Sequence, residues 1–232
     1  MRHVLFEEDG SFKAGTVLSG TDASCQVELA SGKRTKVKTA NVLLQFEAPA
    51  PAQLLADAQR AAEQIDLDFL WECAPQQEFG FVELARDYHG HEPGAVEAAS
   101  ILLRLHGAPV YFHRKGRGRF RPTPADVLKV ALAAVERKRQ QELIRQQYVD
   151  ALAAGTVPEP IARQAIALLI APDRNGIEYK ALEQAADAAH VSPLRLLLKL
   201  GAIGSAYRWH VDSFNASLFP RGTGFPEGIG VP

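Results

Sequence analysis

The chain has 232 residues, 47% of them hydrophobic, enough to bury a sizeable core as one large domain or two to three small ones. Its 26 Lys and Arg against 27 Asp and Glu leave a formal net charge of -1, so it is no polycation, and attraction to nucleic acid must come from clustered charge. Cys25 and Cys73 stand far apart without His or Cys at ligand spacing, which argues against a disulfide framework and a zinc site. With neither a signal-peptide core in MRHVLFEEDG nor an apolar run of about 18 residues, a soluble protein of the reducing cytoplasm is expected.

Residues 1–46 carry short runs of β-formers, His3 to Phe6, Lys13 to Leu18, Cys25 to Leu29 and Arg34 to Val37, separated by the turn signals EEDGS, SGTDAS and ASGKR. Closely spaced strands with glycines at the bends predict a small SH3-like barrel. Lys33, Arg34, Lys36 and Lys38 alternate along its last hairpin, serving equally well as an auxiliary RNA contact or as protection of an edge strand. Residues 47–75 comprise a Pro-containing linker, EAPAPAQ, and a first helix whose apolar face is Leu54, Leu55, Ala58, Ala61, Ala62 and Ile65. Asp66 to Trp71 forms a further short turn, with Trp71 assigned to the core.

Residues 76–123 follow the order helix, turn, helix, hairpin. Phe79 to His89 reads as a helix with Phe81, Leu84, Ala85 and Tyr88 on one side; a second helix, Gly94 to His106, starts behind Pro93 and ends at Gly107. Ala108 to His113 is strand-like and Arg117 to Arg121 returns as its partner, so the segment is expected to be a winged helix-turn-helix. The hairpin, YFHRKGRGRFRP over Tyr111 to Pro122, places Arg114, Lys115, Arg117, Arg119 and Arg121 among Gly116, Gly118 and Phe120. Clustered cations beside aromatics suit phosphates and unpaired bases, with Phe112 expected inside and Tyr111 or Phe120 outside. The outward row of the second helix is expected to be Glu97, Ser100 and Arg104; one cation and one acid read base edges poorly, which favours backbone-directed binding. His89, His91 and Glu92 could be drawn as a metal site, but their place in a Gly-containing turn favours ordinary exposed histidines.

Residues 124–218 are expected to be helical: a long helix over 124–154 with the charged middle ERKRQQELIRQQ, then Pro160 to Ile170, Glu178 to His190, Pro193 to Lys199 and Ile203 to Leu218. Arg137, Lys138, Arg139 and Arg145 in the long helix read as a solvated face. Residues 219–232, FPRGTGFPEGIGVP, read as an extended exit towards a further domain. The whole is α+β and mainly helical. No paired-acid, GxSxG, P-loop, HExxH or CxxC pattern occurs, so the chain carries binding residues without a catalytic constellation.

The stretches FVELARDYHG, GAVEAASILLRL, PVYFHRKGRGRFRP and HVDSFNASLFPRGTGFP together resemble the N-terminal region of ribonuclease II (RNB) family exoribonucleases, of the Deinococcus-like type with a winged helix in place of cold-shock domains. The resemblance implies processive 3′-to-5′ RNA degradation by an RNB domain whose Asp cluster holds Mg²⁺; that cluster is absent here, so no catalytic residue and no cofactor are assigned to this chain. It further implies a monomeric RNA-binding part whose partners are RNA and its own catalytic domain, with contacts from Arg114, Lys115, Arg117, Arg119, Arg121, Tyr111, Phe120 and Arg104. The alternatives are a winged-helix transcriptional regulator gripping duplex DNA and a protein-interaction adaptor.

Overall fold

The structure is a computed structural model and describes residues 1–219, so the expected extended exit, Phe219 apart, lies outside the described residues. The protein is α+β with antiparallel sheets, and its chain divides into two compact units, Met1–Leu132 and Ala133–Pro232. Among the described residues no helix is long and apolar enough to cross a membrane.

The first unit opens with five strands: β1 (His3–Glu8), β2 (Ser11–Gly20), β3 (Ser24–Leu29), β4 (Arg34–Lys38) and, after a 3₁₀ turn, β5 (Val42–Phe46). They form one antiparallel sheet in the order β4-β3-β2-β1-β5. Strand alternation sends successive side chains to opposite faces. Val4 and Phe6 of β1 meet Val27 and Val37 in a core of the sheet's own, while Leu5 joins Ala14 and Phe46 in a second core shared with the helices. The close approach of β2 to β3 depends on Gly15, where a Cβ would lie 2.5 Å from Val27 Cγ1 and 2.6 Å from the Glu28 carbonyl oxygen.

Helix α1 (Pro51–Gln64) starts with Pro51, as that residue's fixed φ favours, and buries Leu54, Ala58 and Ala62 at four-residue spacing. Asp66 caps α2 (Leu67–Cys73), its carboxylate accepting from the Asp68 and Phe69 amides at 2.8 and 3.0 Å. The helix expected from Phe79 instead begins at Phe81, because Phe79–Gly80 is a short strand, β6. Helix α3 (Phe81–His89) buries Phe81, Leu84 and Ala85 and ends at Gly90, whose φ of 73° makes the left-handed turn a Cβ opposes. Helix α4 (Ala95–Gly107) follows; then Tyr111 and Phe112 both donate to the Ala108 carbonyl at 3.0 Å, a turn where a strand was expected. Strands β7 (Phe112–Gly116) and β8 (Arg119–Pro122) make the hairpin, and the second sheet has the antiparallel order β6-β8-β7. Trp71 packs on this core and donates from Nε1 to the Thr123 carbonyl at 2.9 Å.

Helix α5 (Ala125–Ala153) begins in the first unit. The second unit contains its later turns, then α6 (Glu159–Arg163), α7 (Ala165–Ile170), α8 (Ile177–Ala188), α9 (Pro193–Lys199) and α10 (Ala206–Leu218). The single helix expected over 160–170 is broken at Gln164, whose φ of -118° and ψ of 21° leave the helical region. Helix α10 starts three residues later than expected, since Ile203 is buried in this unit's core with Leu168, Leu182 and Leu197, and Ser205 supplies the cap, its Oγ accepting from the Arg208 amide.

Candidate nucleic-acid interface

The hairpin β7–β8 forms for local reasons. Gly116, Arg117 and Gly118 take φ of 86°, 52° and 70°, so the chain reverses through three consecutive left-handed residues, two of them glycines. Arg117 is the non-glycine in this turn and is exposed at its crest. The Phe81 amide donates to the Gly118 carbonyl at 3.1 Å, and a Cβ on Gly118 would lie 2.8 Å from Phe81 Cδ1, so the turn is pressed against the start of α3.

Alternation along β8 decides which side chains face out. Arg119 and Arg121 are exposed; Phe120, between them, is 3% exposed and stacks on Phe79 at a centroid distance of 6.5 Å. Phe120 therefore has no free ring face for a base, which corrects its assignment as an RNA-binding residue. Phe112 is fully buried, as expected. Tyr111 is half-buried, and its hydroxyl donates to Asp68 Oδ1 at 2.8 Å. Burial first, and then this carboxylate, push its pKa up to about 12, so the phenol stays protonated.

The five cations of the hairpin are not equivalent. Arg114 lies opposite Phe120 in the register and donates to the His106 carbonyl at 2.8 Å, closing the C-terminal end of α4. Arg119 pairs with Glu78, a residue that no sequence motif singled out. Arg117 shares a recess of about 250 Å³ with Glu7, Asp9, Asn41 and Leu43. Among the described residues the side chains of Lys115, Arg117 and Arg121 have no hydrogen-bond or ion-pair partner, and all three residues are exposed. They are the hairpin's freely presented cations.

Helix α4 departs from the expected outward row. Ser100 is 1% exposed and its hydroxyl donates to the Glu97 carbonyl at 2.8 Å, while Arg104 is half-buried, with Nε buried and without a partner. The cause is packing: Ala98, Ala99, Ile101, Leu102 and Leu105 are also buried, so most of the helix circumference is covered. No row of long polar side chains is left to enter a groove, and Arg104 is withdrawn as a freely presented cation. His106 lies against Phe12 at a centroid distance of 4.7 Å, and burial, with the nearby Arg114 charge, holds its pKa below the usual imidazole value.

Other basic groups lie elsewhere in the fold. Arg34, Lys36 and Lys38 are exposed on the edge strand β4, with Arg34 bridged to Glu28 at 3.3 Å. On α5, Arg139 and Arg145 pair with Glu136 and Glu142 of the same helix, as expected of a solvated face. Cys25 and Cys73 are free thiols, and burial pushes both pKa values up, away from thiolate reactivity. Glu92, placed by sequence beside the two histidines, instead receives both a 2.7 Å and a 3.0 Å hydrogen bond from Arg86.

The chain has no match among protein-family models, the curated proteins or the solved structures.

Proposed function

We propose that this chain is the RNA-binding N-terminal part of an RNB-family 3′-to-5′ exoribonuclease, positioning RNA for catalytic residues that lie outside it. The observation that carries this is the contrast between hairpin and helix: three exposed cations without partners, Lys115, Arg117 and Arg121, stand next to a helix with no base-reading row. Backbone attraction without sequence readout is the chemistry such a surface performs, since phosphate contacts position a nucleic acid and base-edge contacts specify it. The element order α1, α2, β6, α3, α4, β7, β8, with β6 paired to β8, supports a winged helix whose wing is this hairpin. Five antiparallel strands, with β1 paired to both β2 and β5, support an SH3-like barrel in front of it. Mg²⁺ belongs, in this proposal, to the catalytic domain.

The test is fluorescence anisotropy with a labelled single-stranded RNA and a duplex DNA of fixed sequence, each titrated over a range of salt. Replacing Lys115, Arg117 and Arg121 with Ala removes donors without breaking the Arg119–Glu78 pair or the Arg114 hydrogen bond. Every cation withdrawn from a phosphate of a single strand lowers the slope of log K against log salt by about 0.7, so the slope of the triple variant should fall by about 2. An RNA affinity and slope unchanged in this variant would defeat the proposal. Tight, sequence-selective duplex binding by a dimer would instead identify a transcriptional regulator.

A further inference from the structure

We propose that His89, His91 and Glu97 form a binding site for a divalent transition-metal ion of the zinc class, at the turn between α3 and α4. It is independent of the hairpin and of any nucleic-acid role. The three side chains each bring a ligand atom within 4.8 Å of the other two. Local structure explains the convergence. His89 ends α3, Gly90 turns the chain back through its left-handed conformation, and His91 returns beside it, the two rings 5.8 Å apart and 34° from parallel. Pro93 and Gly94 then start α4, where Glu97 occupies the third helical position.

Two of the three ligands are oriented by a second contact. Glu97 accepts from the Gly94 amide through Oε2 at 2.7 Å, leaving Oε1 turned to His91 Nε2 at 3.5 Å. His91 Nδ1 is 3.0 Å from the Glu92 carbonyl; as a donor there, it leaves the Nε2 lone pair for a metal. His89 has a buried Nε2 without a partner among the described residues, an unpaired group of the kind a metal–nitrogen bond would satisfy. Bonds of about 2.0–2.1 Å at tetrahedral angles require ligand atoms about 3.4 Å apart, so the His91–Glu97 edge, at 3.5 Å, already has the required span, and the His89 ring closes by at most about 1.4 Å. Two imidazoles and one carboxylate select zinc, cobalt, nickel or copper over magnesium and calcium, which take all-oxygen sites. Three protein ligands leave a position for water or an exogenous group.

The experiment is calorimetric titration of the whole chain with Zn²⁺, with and without excess Mg²⁺, alongside Co²⁺ loading read from its visible absorption. The variants are His91→Ala, at an exposed position, and Glu97→Gln, which retains an oxygen for the Gly94 amide but removes the charge. Circular dichroism verifies that both fold. The expected result is one Zn²⁺ per chain, undisturbed by Mg²⁺, with affinity lowered at least about 10-fold in each variant. Wild type and both folded variants binding Zn²⁺ equally would assign the ion to other histidines or cysteines and overturn the proposal. Absence of Zn²⁺ binding by the wild type would overturn it as well.

Discussion

Gly118→Ala tests how the hairpin is held. At φ of +70° the new Cβ would sit 2.8 and 2.9 Å from Phe81 Cδ1 and Cε1, with Leu43 Cδ2 at 3.5 Å. Phe81 is only 4% exposed, so its ring has little room to withdraw. The left-handed conformation costs an alanine about 1 to 2 kcal/mol, and forcing a methyl into a packed site adds about 1 to 3 kcal/mol. Reduced freedom of the unfolded chain returns about 0.4 to 1 kcal/mol, leaving a net loss of about 3 kcal/mol. Gly116→Ala is the matched control: its φ is +86°, yet nothing lies within 4 Å of the added Cβ, so it carries the backbone cost alone. Urea unfolding followed by tryptophan fluorescence in a Trp209→Phe background reports on this unit through Trp71, which contacts Thr123 just beyond the hairpin. With m near 2 kcal/mol/M, Gly118→Ala should lower the midpoint by about 1 to 2 M, and Gly116→Ala by well under 1 M. Equal midpoints for the two variants would refute the claim that the turn is braced on Phe81.

Three further outcomes follow from burial and hydrogen bonding. His106 has a folded pKa below its ordinary 6.5, so the unfolded chain binds its proton first as pH falls. The stability this neutral imidazole contributes is present above about pH 6.5 and is lost as pH falls through the lower folded value; His106→Gln should lack that part of the decline in urea midpoints measured from pH 7.5 to 5.5. A wild-type profile parallel to that of the variant would contradict it. Phe120→Ala should cost about 3 to 5 kcal/mol because it empties a buried site. Tyr111→Phe, by contrast, should leave the fold intact within about 1 to 2 kcal/mol while freeing Asp68; equal midpoints for Phe120→Ala and wild type would show that Phe120 is not part of the core.

Much of the architecture was legible in residue order. Proline and glycine marked the boundaries of α1, α3 and α4, since Pro51 needs no amide partner at a helix start and Gly90 meets no penalty at positive φ. The hairpin was legible for the same reason, with Gly116 and Gly118 around its reversal. Its limits were less so. Phe79–Gly80 continues the apolar pattern of α3, and only pairing with Phe120 and Arg119 across β8 makes it a strand. Within the candidate interface, period-two alternation around Arg119 and Arg121 already implied that Phe120 points the other way. Ser100 could not be placed so simply, because a helix covered on most sides has no polar face to reveal by periodicity.

Local chemistry thus fixed most of the turns, most of the helices and which short stretch concentrates positive charge, because these depend on neighbours within a few residues, whereas β6 needed its distant partner. Contacts beyond the nearest neighbours, from six to 41 residues away, decided what that charge can do. Arg119 meets Glu78, Arg114 meets the His106 carbonyl, and Glu97 in place of Glu92 comes to the two histidines. Coulomb and hydrogen-bond partners are set by distance in space, which residue order records only where the chain happens to run locally.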